Sequence, residues 1–296
     1  MKTDFPVQPL SQAHVWSDLV GAILPTVTMG PVTHAAQTPP LNLHSALAMG
    51  LVAILAGAIN SVAGGGTFLT LPMMIFCGFS EFRANTTNTV ALWFGSLASV
   101  GAYRNHLSGQ RRALLTLLVT SLIGGFLGAV LLLRTPDAVF KVMLPWLLLT
   151  STLIFIFGRH LTAWLRRMVH LDINQPQHAG PFIVGCAVQL IISTYGGFFG
   201  GGIGILMLAL LTLLGYEKIH TMNALKTVLA VTINGIAVIA FVSAGVVDWP
   251  QAGVMAVGAI LGGYGGAILA QRIKPETIRR VVMAVGVGMT LYFFVR

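Results

Sequence analysis

The sequence predicts an all-α polytopic membrane protein made of two inverted-topology repeats. Of its 296 residues, 55% are hydrophobic and only 8% are charged, whereas a soluble domain carries about 25% charged residues. Apolar segments of about 20 residues recur along most of the chain, and this length crosses a bilayer as an α-helix. The order of long and short segments occurs twice, which indicates a duplicated unit.

Residues 1–42 differ from the rest of the chain. They contain six prolines and an apolar run near 19–29 that Pro25 interrupts. A cleaved signal peptide needs a basic start and an unbroken apolar core, but here Lys2 is followed closely by Asp4. We therefore expect a poorly ordered or surface-lying tail rather than a signal peptide.

Ten apolar segments follow this tail. The second and the seventh are short, and each directly follows a glycine cluster. We expect each of them to be half of a glycine-broken or re-entrant helix pair, because a straight span needs more residues. Each half then holds one such pair and three spanning helices. The predicted segments are 43–63, 66–79, 85–103, 113–133, 138–157, 181–200, 203–215, 222–244, 252–271 and 276–295.

Sequence matches at a constant offset support the duplication. The motif "GGFLGA" at 124–129 matches "GGYGGA" at 262–267, an offset of 138 residues, and the same offset aligns Asn85 with Asn223. The two glycine triplets align at an offset of 136 residues. Accidental glycine matches are common in biased sequences, but these matches share one register.

Residues 43–157 and 181–296 are therefore predicted to form the first and second transmembrane repeats, with 158–180 as a linker between them. Cytoplasmic loops carry an excess of lysine and arginine, and this linker contains three arginines. With the linker in the cytoplasm, most basic residues lie inside only if each half crosses the membrane an odd number of times. The second half then enters from the opposite face, an architecture found in many secondary transporters.

The sequence argues against several functional classes. It contains no GxxxxGK[ST] phosphate loop and no HExxH zinc motif,, and Cys77 and Cys186 have no metal-like spacing. Its basic residues form no stripe interleaved with aromatics, so we expect no nucleic-acid partner. None of the eight acidic residues lies inside a predicted span, so a membrane-embedded carboxylate relay is not expected. The prediction is a protein that is not an enzyme and has neither a metal nor a cofactor.

Polar and basic residues inside the spans mark a candidate site. Lys226 lies about one turn into the eighth segment, and a lysine at the bilayer centre costs about 2.5–3.5 kcal/mol. It either extends to the nearby membrane surface or faces a cavity and attracts an anion. Its counterpart is Asn88, in the stretch "RANTTNTV". Helix capping uses one or two of these polar residues, so Asn85, Thr86 and Asn88 are candidates for the site.

The glycine triplets Gly64–Gly66 and Gly200–Gly202 are predicted to break two helices. A break leaves unpaired N–H groups at the start of the following half-helix, and these groups and the helix dipole bind anions. The half-helices would begin near residues 66 and 203 and could point at one midplane site. Four further glycines have a four-residue spacing that suits close helix packing: Gly124, Gly128, Gly262 and Gly266.

Three stretches carry a family resemblance: "AGAINSVAGGGTFLTLPMM", "GFSEFRANTTNTVAL" and the degenerate copy "GGFFGGGIGILMLALLTLLGYEKIHTMNALKTVLAV". Over about residues 43–295 the chain resembles the sulfite exporter TauE/SafE family, the sulfonate uptake permease group. The resemblance implies a multi-pass permease of the bacterial inner (plasma) membrane, with its central loop in the cytoplasm. It implies these substrate-binding residues: Asn60, Gly64, Gly65, Gly66, Thr67, Asn85, Thr86, Asn88, Gly200, Gly201, Gly202, Asn223 and Lys226.

The predicted function is transport of small sulfur-containing anions, such as sulfite or sulfonates, by alternating access at a midplane site. Export is favoured, since a negative cell interior drives an anion outward by about 2.3 kcal/mol per charge per 100 mV. Two alternatives stay open: a passive anion channel, and an uptake permease for small carboxylates. The expected partners are the anionic substrate and membrane lipid, and a homodimer is compatible with the sequence.

Overall fold

The computed structural model describes residues 39–62, 64–104, 107, 111–168, 179–216, 218–269 and 275–295. These residues form α-helices and no β-strand, which confirms the predicted all-α class. The predicted tail lies outside the described residues except for its last four. There Asn42 caps the first helix, since its side-chain oxygen accepts the N–H of Ser45 at 2.8 Å,.

The described helices follow the order long, short, long, long, long in each half, as the segment lengths predict. The helices of the first half are α1 (Leu43–Val62), α2 (Thr67–Phe76), α3 (Glu81–Tyr103), α4 (Arg111–Leu133) and α5 (Asp137–Met168). Those of the second half are α6 (Ala179–Phe198), α7 (Ile203–Leu213), α8 (Ile219–Ser243), α9 (Trp249–Leu269) and α10 (Pro275–Val295). Both half-helices, α2 and α7, begin where the glycine clusters predict.

Helix α5 is longer than predicted. The apolar segment ends near residue 157, but the helix continues to Met168 and so extends into the predicted linker. The added residues are mostly leucine, arginine, alanine and other residues that a helix tolerates, with no proline or glycine after Gly158 to end it,. The remainder of the linker, residues 169–178, lies outside the described residues.

Five of the described helices are long and apolar enough to cross a membrane by length and composition. Their outer faces are apolar, as on α1, where Leu47, Leu51 and Leu55 are each about 60% exposed. These leucines are four residues apart and so lie on one helix face. An exposed leucine stripe on a spanning helix faces lipid. The protein is therefore a multi-pass membrane protein. The spans are Leu43–Val62, Leu114–Leu133, Asp137–Gly158, Ile219–Ser243 and Trp249–Ile268.

The most extensive helix contacts join the two halves. Helix α9 lies along α1 and α3, and helix α4 lies along α6 and α8. Glycines let these backbones approach closely, because a Cβ atom on Gly128 would lie 2.7 Å from the backbone nitrogen of Phe198. One on Gly266 would lie 2.7 Å from the Cβ of Ala58. The predicted packing role of these glycines is confirmed.

Helices α3 and α8, the third helix of each half, run antiparallel to each other. The start of α3 contacts the end of α8 through Thr86, whose hydroxyl donates to the carbonyl of Val246 at 2.8 Å. The end of α3 contacts the start of α8, where Tyr103 packs against Ala224. Equivalent helices of the two halves therefore point in opposite directions at this contact.

Two contacts join positions that correspond in the two halves. The indole N–H of Trp93 donates to the carbonyl of Val231 at 3.0 Å, and the hydroxyls of Thr152 and Thr290 are 3.2 Å apart. Each pair is separated by 138 residues, the offset of the sequence repeat. A rotation that exchanges two halves brings equivalent positions together near its axis, so these two contacts mark where such an axis would pass.

Candidate functional site

The first helix break, Gly64–Gly66, lies between α1 and α2. Gly64 has φ +77°, a conformation that residues with a side chain rarely adopt. A Cβ atom on Gly64 would lie 2.7 Å from the Cα of Gly204, so the two breaks touch each other. Gly65 and Gly66 instead allow close packing, against the ring of Phe155 and the backbone of Ala56.

The second helix break, Gly200–Gly202, lies between α6 and α7. Gly200 and Gly202 have φ +80° and +79°, and Gly202 is the residue that precedes α7. The carbonyl of Gly201 accepts two hydrogen bonds, from the hydroxyl of Ser151 at 3.0 Å and from that of Tyr195 at 2.9 Å. Helix α5 and the last turn of α6 therefore hold this break in place.

Lys226 of α8 lies buried beside the first break, with only 2% of its surface exposed. Its ammonium donates to the carbonyls of Ser61 and Val62 at 3.1 Å and to that of Asn60 at 3.5 Å. These are the last carbonyls of α1, which have no partner within the helix and carry its partial negative charge. Lys226 therefore caps the first broken helix from the other half of the protein.

The second broken helix is capped in the reciprocal direction. The side-chain amide of Asn85, on α3, donates to the carbonyl of Phe198, at the end of α6, at 3.1 Å. Thus α8 caps α1, and α3 caps α6. The two caps differ in charge, because a cation serves the first break and a neutral amide serves the second.

A cavity lies where the two breaks meet. It contains about 530 Å³ of empty space, including its opening to solvent, which is within the range of small-molecule sites. Both breaks, the end of α1, and helices α3 and α8 contribute to its wall. The lining residues are Asn60, Ser61, Gly64, Thr67, Thr89, Leu92, Ser96, Ser99, Phe199, Gly200, Ile203, Gly204, Lys226, Thr227, Ala230 and Asn234.

The two long helices that line the cavity use corresponding positions. Three lining residues of α3 each have a lining counterpart on α8, 138 residues later in the sequence. The pairs are Thr89 with Thr227, Leu92 with Ala230, and Ser96 with Asn234. Both halves of the chain therefore build the cavity from equivalent parts of the repeat.

The comparisons with known proteins agree with this architecture. A model of the family described as "Sulfite exporter TauE/SafE" matches residues 49–293, which include both breaks and the whole cavity lining. The chain belongs to the TauE/SafE family. No solved structure was found that matches it significantly.

Several TauE/SafE relatives are described as membrane transporters. The chain is 30% identical over 240 residues to a "Probable membrane transporter protein" of Haemophilus influenzae, covering 81% of this chain and 90% of that protein. It is 28% identical over 254 residues to "Probable membrane transporter protein ORF9" of Sinorhizobium sp, covering 85% and 93%. It is 29% identical over 244 residues to "Probable membrane transporter protein YfcA" of Escherichia coli K12, covering 81% and 86%. Transport across a membrane is the function that these relatives share.

Five of the predicted site residues of this TauE/SafE protein line the cavity: Asn60, Gly64, Thr67, Gly200 and Lys226. The others lie outside the lining and support the breaks or the helix contacts: Gly65, Gly66, Asn85, Thr86, Asn88, Gly201, Gly202 and Asn223. Among them, the amide oxygen of Asn88 accepts the hydroxyl of Thr70, which joins α3 to α2.

Sequence reasoning missed most of the α3 and α8 lining. Thr89, Leu92, Ser96 and Ser99 follow a spacing of three, four and three residues, so they share one face of α3,. Two serines at helical spacing in an otherwise apolar stretch were the available signal. The contribution of Asn234 had no comparable signal, since it depends on which face of α8 turns inward.

The contact between α3 and α8 is closed at both ends by different chemistry. At the start of α3, Arg83 forms an ion pair with Asp248 at 2.8 Å, and both side chains are largely buried. At the end of α3, Tyr103, Ala224 and Ala267 form an apolar cluster. The cavity-lining residues of α3 lie between these two closures. No cluster of three or more His, Cys, Asp or Glu side chains able to hold a metal ion occurs in the part of the chain that the structure describes.

Proposed function

We propose that this TauE/SafE protein carries small anions, sulfite and sulfonates among them, across the bacterial inner membrane and acts as an exporter. The observation that carries the proposal is Lys226, a buried cation in the wall of a cavity that also receives two half-helix starts. Buried ionisable groups within a membrane are costly and usually serve a function. A fixed positive charge in an enclosed polar cavity favours an anionic ligand.

The half-helix starts supply neutral donors beside this charge. In α7 an early backbone bond runs from the N–H of Ile205 to the carbonyl of Gly202 at 3.1 Å. The N–H groups of Ile203 and Gly204 precede that bond, and both residues line the cavity. Each break brings one positive and one negative helix end together, so their partial charges largely offset each other. The ammonium of Lys226 then sets the sign of the cavity.

The proposed architecture is an inverted repeat. The antiparallel α3 and α8 helices and the two contacts between positions 138 residues apart support it. In such a repeat the equivalent helices are related by an axis in the membrane plane, and a site on that axis lies near the midplane. The linker between the repeats would then lie in the cytoplasm.

Alternating access is the proposed mechanism. The ion pair of Arg83 with Asp248 closes one end of the α3–α8 contact, and the apolar cluster around Tyr103 closes the other. A passive channel needs both ends open at once, so these two closures favour a transporter. Rocking of one half against the other would open one closure while the other stays shut.

Thermal stabilisation of the purified protein tests the substrate class. A ligand that binds only the folded state at 100 times its Kd adds about 2.7 kcal/mol of stability. We expect sulfite, thiosulfate or a simple sulfonate to raise the Tm, and choline at equal ionic strength to leave it unchanged. Stabilisation by small carboxylates alone would favour the uptake-permease alternative, and stabilisation by no anion would refute the anion site.

Flux measurements in liposomes test the mechanism. An alternating-access transporter shows saturable counterflow, in which unlabelled anion inside drives accumulation of labelled anion. A channel shows flux without counterflow. We also expect an inside-negative membrane potential to accelerate exit of the anion, as transport of its net charge requires. Flux that neither saturates nor shows counterflow would overturn alternating access.

A further inference from the structure

Most hydroxyl groups in the cavity wall have already used their only proton. Six serine and threonine residues line the cavity, and five of them donate to a backbone carbonyl of their own helix. These bonds run from Ser61 to Ala58 at 2.8 Å, Thr89 to Asn85 at 2.8 Å, Ser96 to Leu92 at 3.1 Å, Ser99 to Gly95 at 2.9 Å, and Thr227 to Asn223 at 2.7 Å. A carbonyl can only accept, so each hydroxyl presents lone pairs to the cavity.

The acceptor character is strongest on α3. Ser99 lies within hydrogen-bond distance of a second carbonyl, that of Gly263, at 3.0 Å. Ser96 also accepts the side-chain amide of Asn60 at 3.3 Å, which uses one of its lone pairs. One face of α3 therefore offers acceptors, while Lys226 and the start of α7 offer positive charge and donors.

A single serine or threonine bonded to its own helix is common in membrane helices and indicates no site. Five in one cavity, opposite a buried cation, present two kinds of chemistry to the same ligand. An anion that carries no hydrogen-bond donor satisfies only the cationic side. To bond it, a hydroxyl must turn away from its carbonyl and leave that carbonyl without a partner.

We propose that the cavity selects anions that also carry an O–H or N–H donor over anions that can only accept, with Thr89 and Ser96 as specificity-determining residues. This inference rests on the proposed anion transport. One hydrogen bond changes an equilibrium by roughly 2- to 10-fold, so a single ligand donor sets a preference of that size.

A matched pair of sulfonates tests the inference on the purified full chain. Ethanesulfonate and 2-hydroxyethanesulfonate have the same charge and nearly the same size, and only the second carries a donor. We expect the second to bind roughly 2- to 10-fold more tightly, although its hydroxyl makes it less apolar. Equal affinities would overturn the donor preference and leave anion binding intact. Binding of neither compound, nor of sulfite, would overturn the proposed function as well.

Variants of the wall decide whether these hydroxyls cause the preference. Thr89→Val keeps the side-chain shape, and Ser96→Ala removes one atom. Each should lower the affinity ratio of the two sulfonates toward 1 while leaving the affinity for ethanesulfonate nearly unchanged. Ser121→Ala is the matched control, since Ser121 is fully buried between α4 and α6, where it accepts from Gln189 at 2.8 Å, and lies outside the cavity. An unchanged ratio in both wall variants would refute the assignment.

Discussion

Replacing Lys226 with methionine separates its charge from its bulk. Methionine has a similar length and is readily accommodated in a membrane helix. In the wild-type protein the ammonium reaches the carbonyls of Ser61 and Val62 at 3.1 Å and lies in the cavity wall. The variant therefore removes both a helix cap and the positive charge that would attract an anion.

The two effects differ in their consequences for folding and binding. Hydrogen bonds to a charged group contribute about 1.5–3 kcal/mol each, but removing a lysine from the bilayer relieves an insertion cost of about 2.5–3.5 kcal/mol. These terms oppose each other, so we expect Lys226→Met to fold. An anion about 5 Å from the ammonium, at an effective dielectric constant of about 20, gains about 3 kcal/mol. Losing that energy weakens binding by roughly 100-fold.

The assay is anion affinity from thermal stabilisation, with flux of labelled sulfite in liposomes as the second measurement. Lys218→Met is the control, because Lys218 directly precedes the same helix but is exposed and lies outside the cavity. Wild-type affinity in a folded Lys226→Met protein would refute the reasoning. If that variant does not fold, Lys226→Arg keeps the charge and decides the question: measurable binding in it supports the charge, and its absence despite correct folding refutes it.

Three further changes test the packing, the closure and the second break. Gly128→Ala should destabilise the protein by about 1–3 kcal/mol, while Gly253→Ala, with open space around it, should leave the Tm unchanged; equal Tm values would contradict the close packing. Asp248→Asn should increase labelling of Ser96→Cys, in a cysteine-free background, by an impermeant thiol reagent on the face where α3 begins, and unchanged labelling would argue against a closure there. Tyr195→Phe removes one donor to the second break and should cost about 1 kcal/mol, measured by thermal unfolding; no loss would show that the remaining donor suffices.

Much of the fold could be predicted because hydrophobicity and glycine act locally. A run of about 20 apolar residues forms a helix in lipid whatever its neighbours are, since its backbone groups have no other partners there. A glycine triplet before a short segment indicated where each half-helix begins, and α2 and α7 begin at Thr67 and Ile203. The end of α5 at Met168 was missed because a polar helix continues beyond the lipid without a hydrophobic signal.

The candidate site was harder to predict, because a polar residue in a helix has several available partners. Asn85 and Asn88 were expected to bind the anion, but they bond to Phe198 and Thr70 and lie outside the cavity lining. Ser96 and Ser99 looked like ordinary small residues in an apolar helix. Which of these side chains reaches the cavity depends on the rotation of α3 against helices that are remote in sequence.

The sequence by itself determined the membrane location, the helix order, the duplication and the two breaks, because each follows from composition or spacing within a few turns. Only the tertiary structure decided how the breaks are held. Lys226 is 164 residues from the carbonyl of Val62, and Asn85 is 113 residues from that of Phe198. Such contacts depend on how the two halves pack against each other, and no local pattern encodes that. The buried lysine is thus revealed as the cap of a helix in the opposite half.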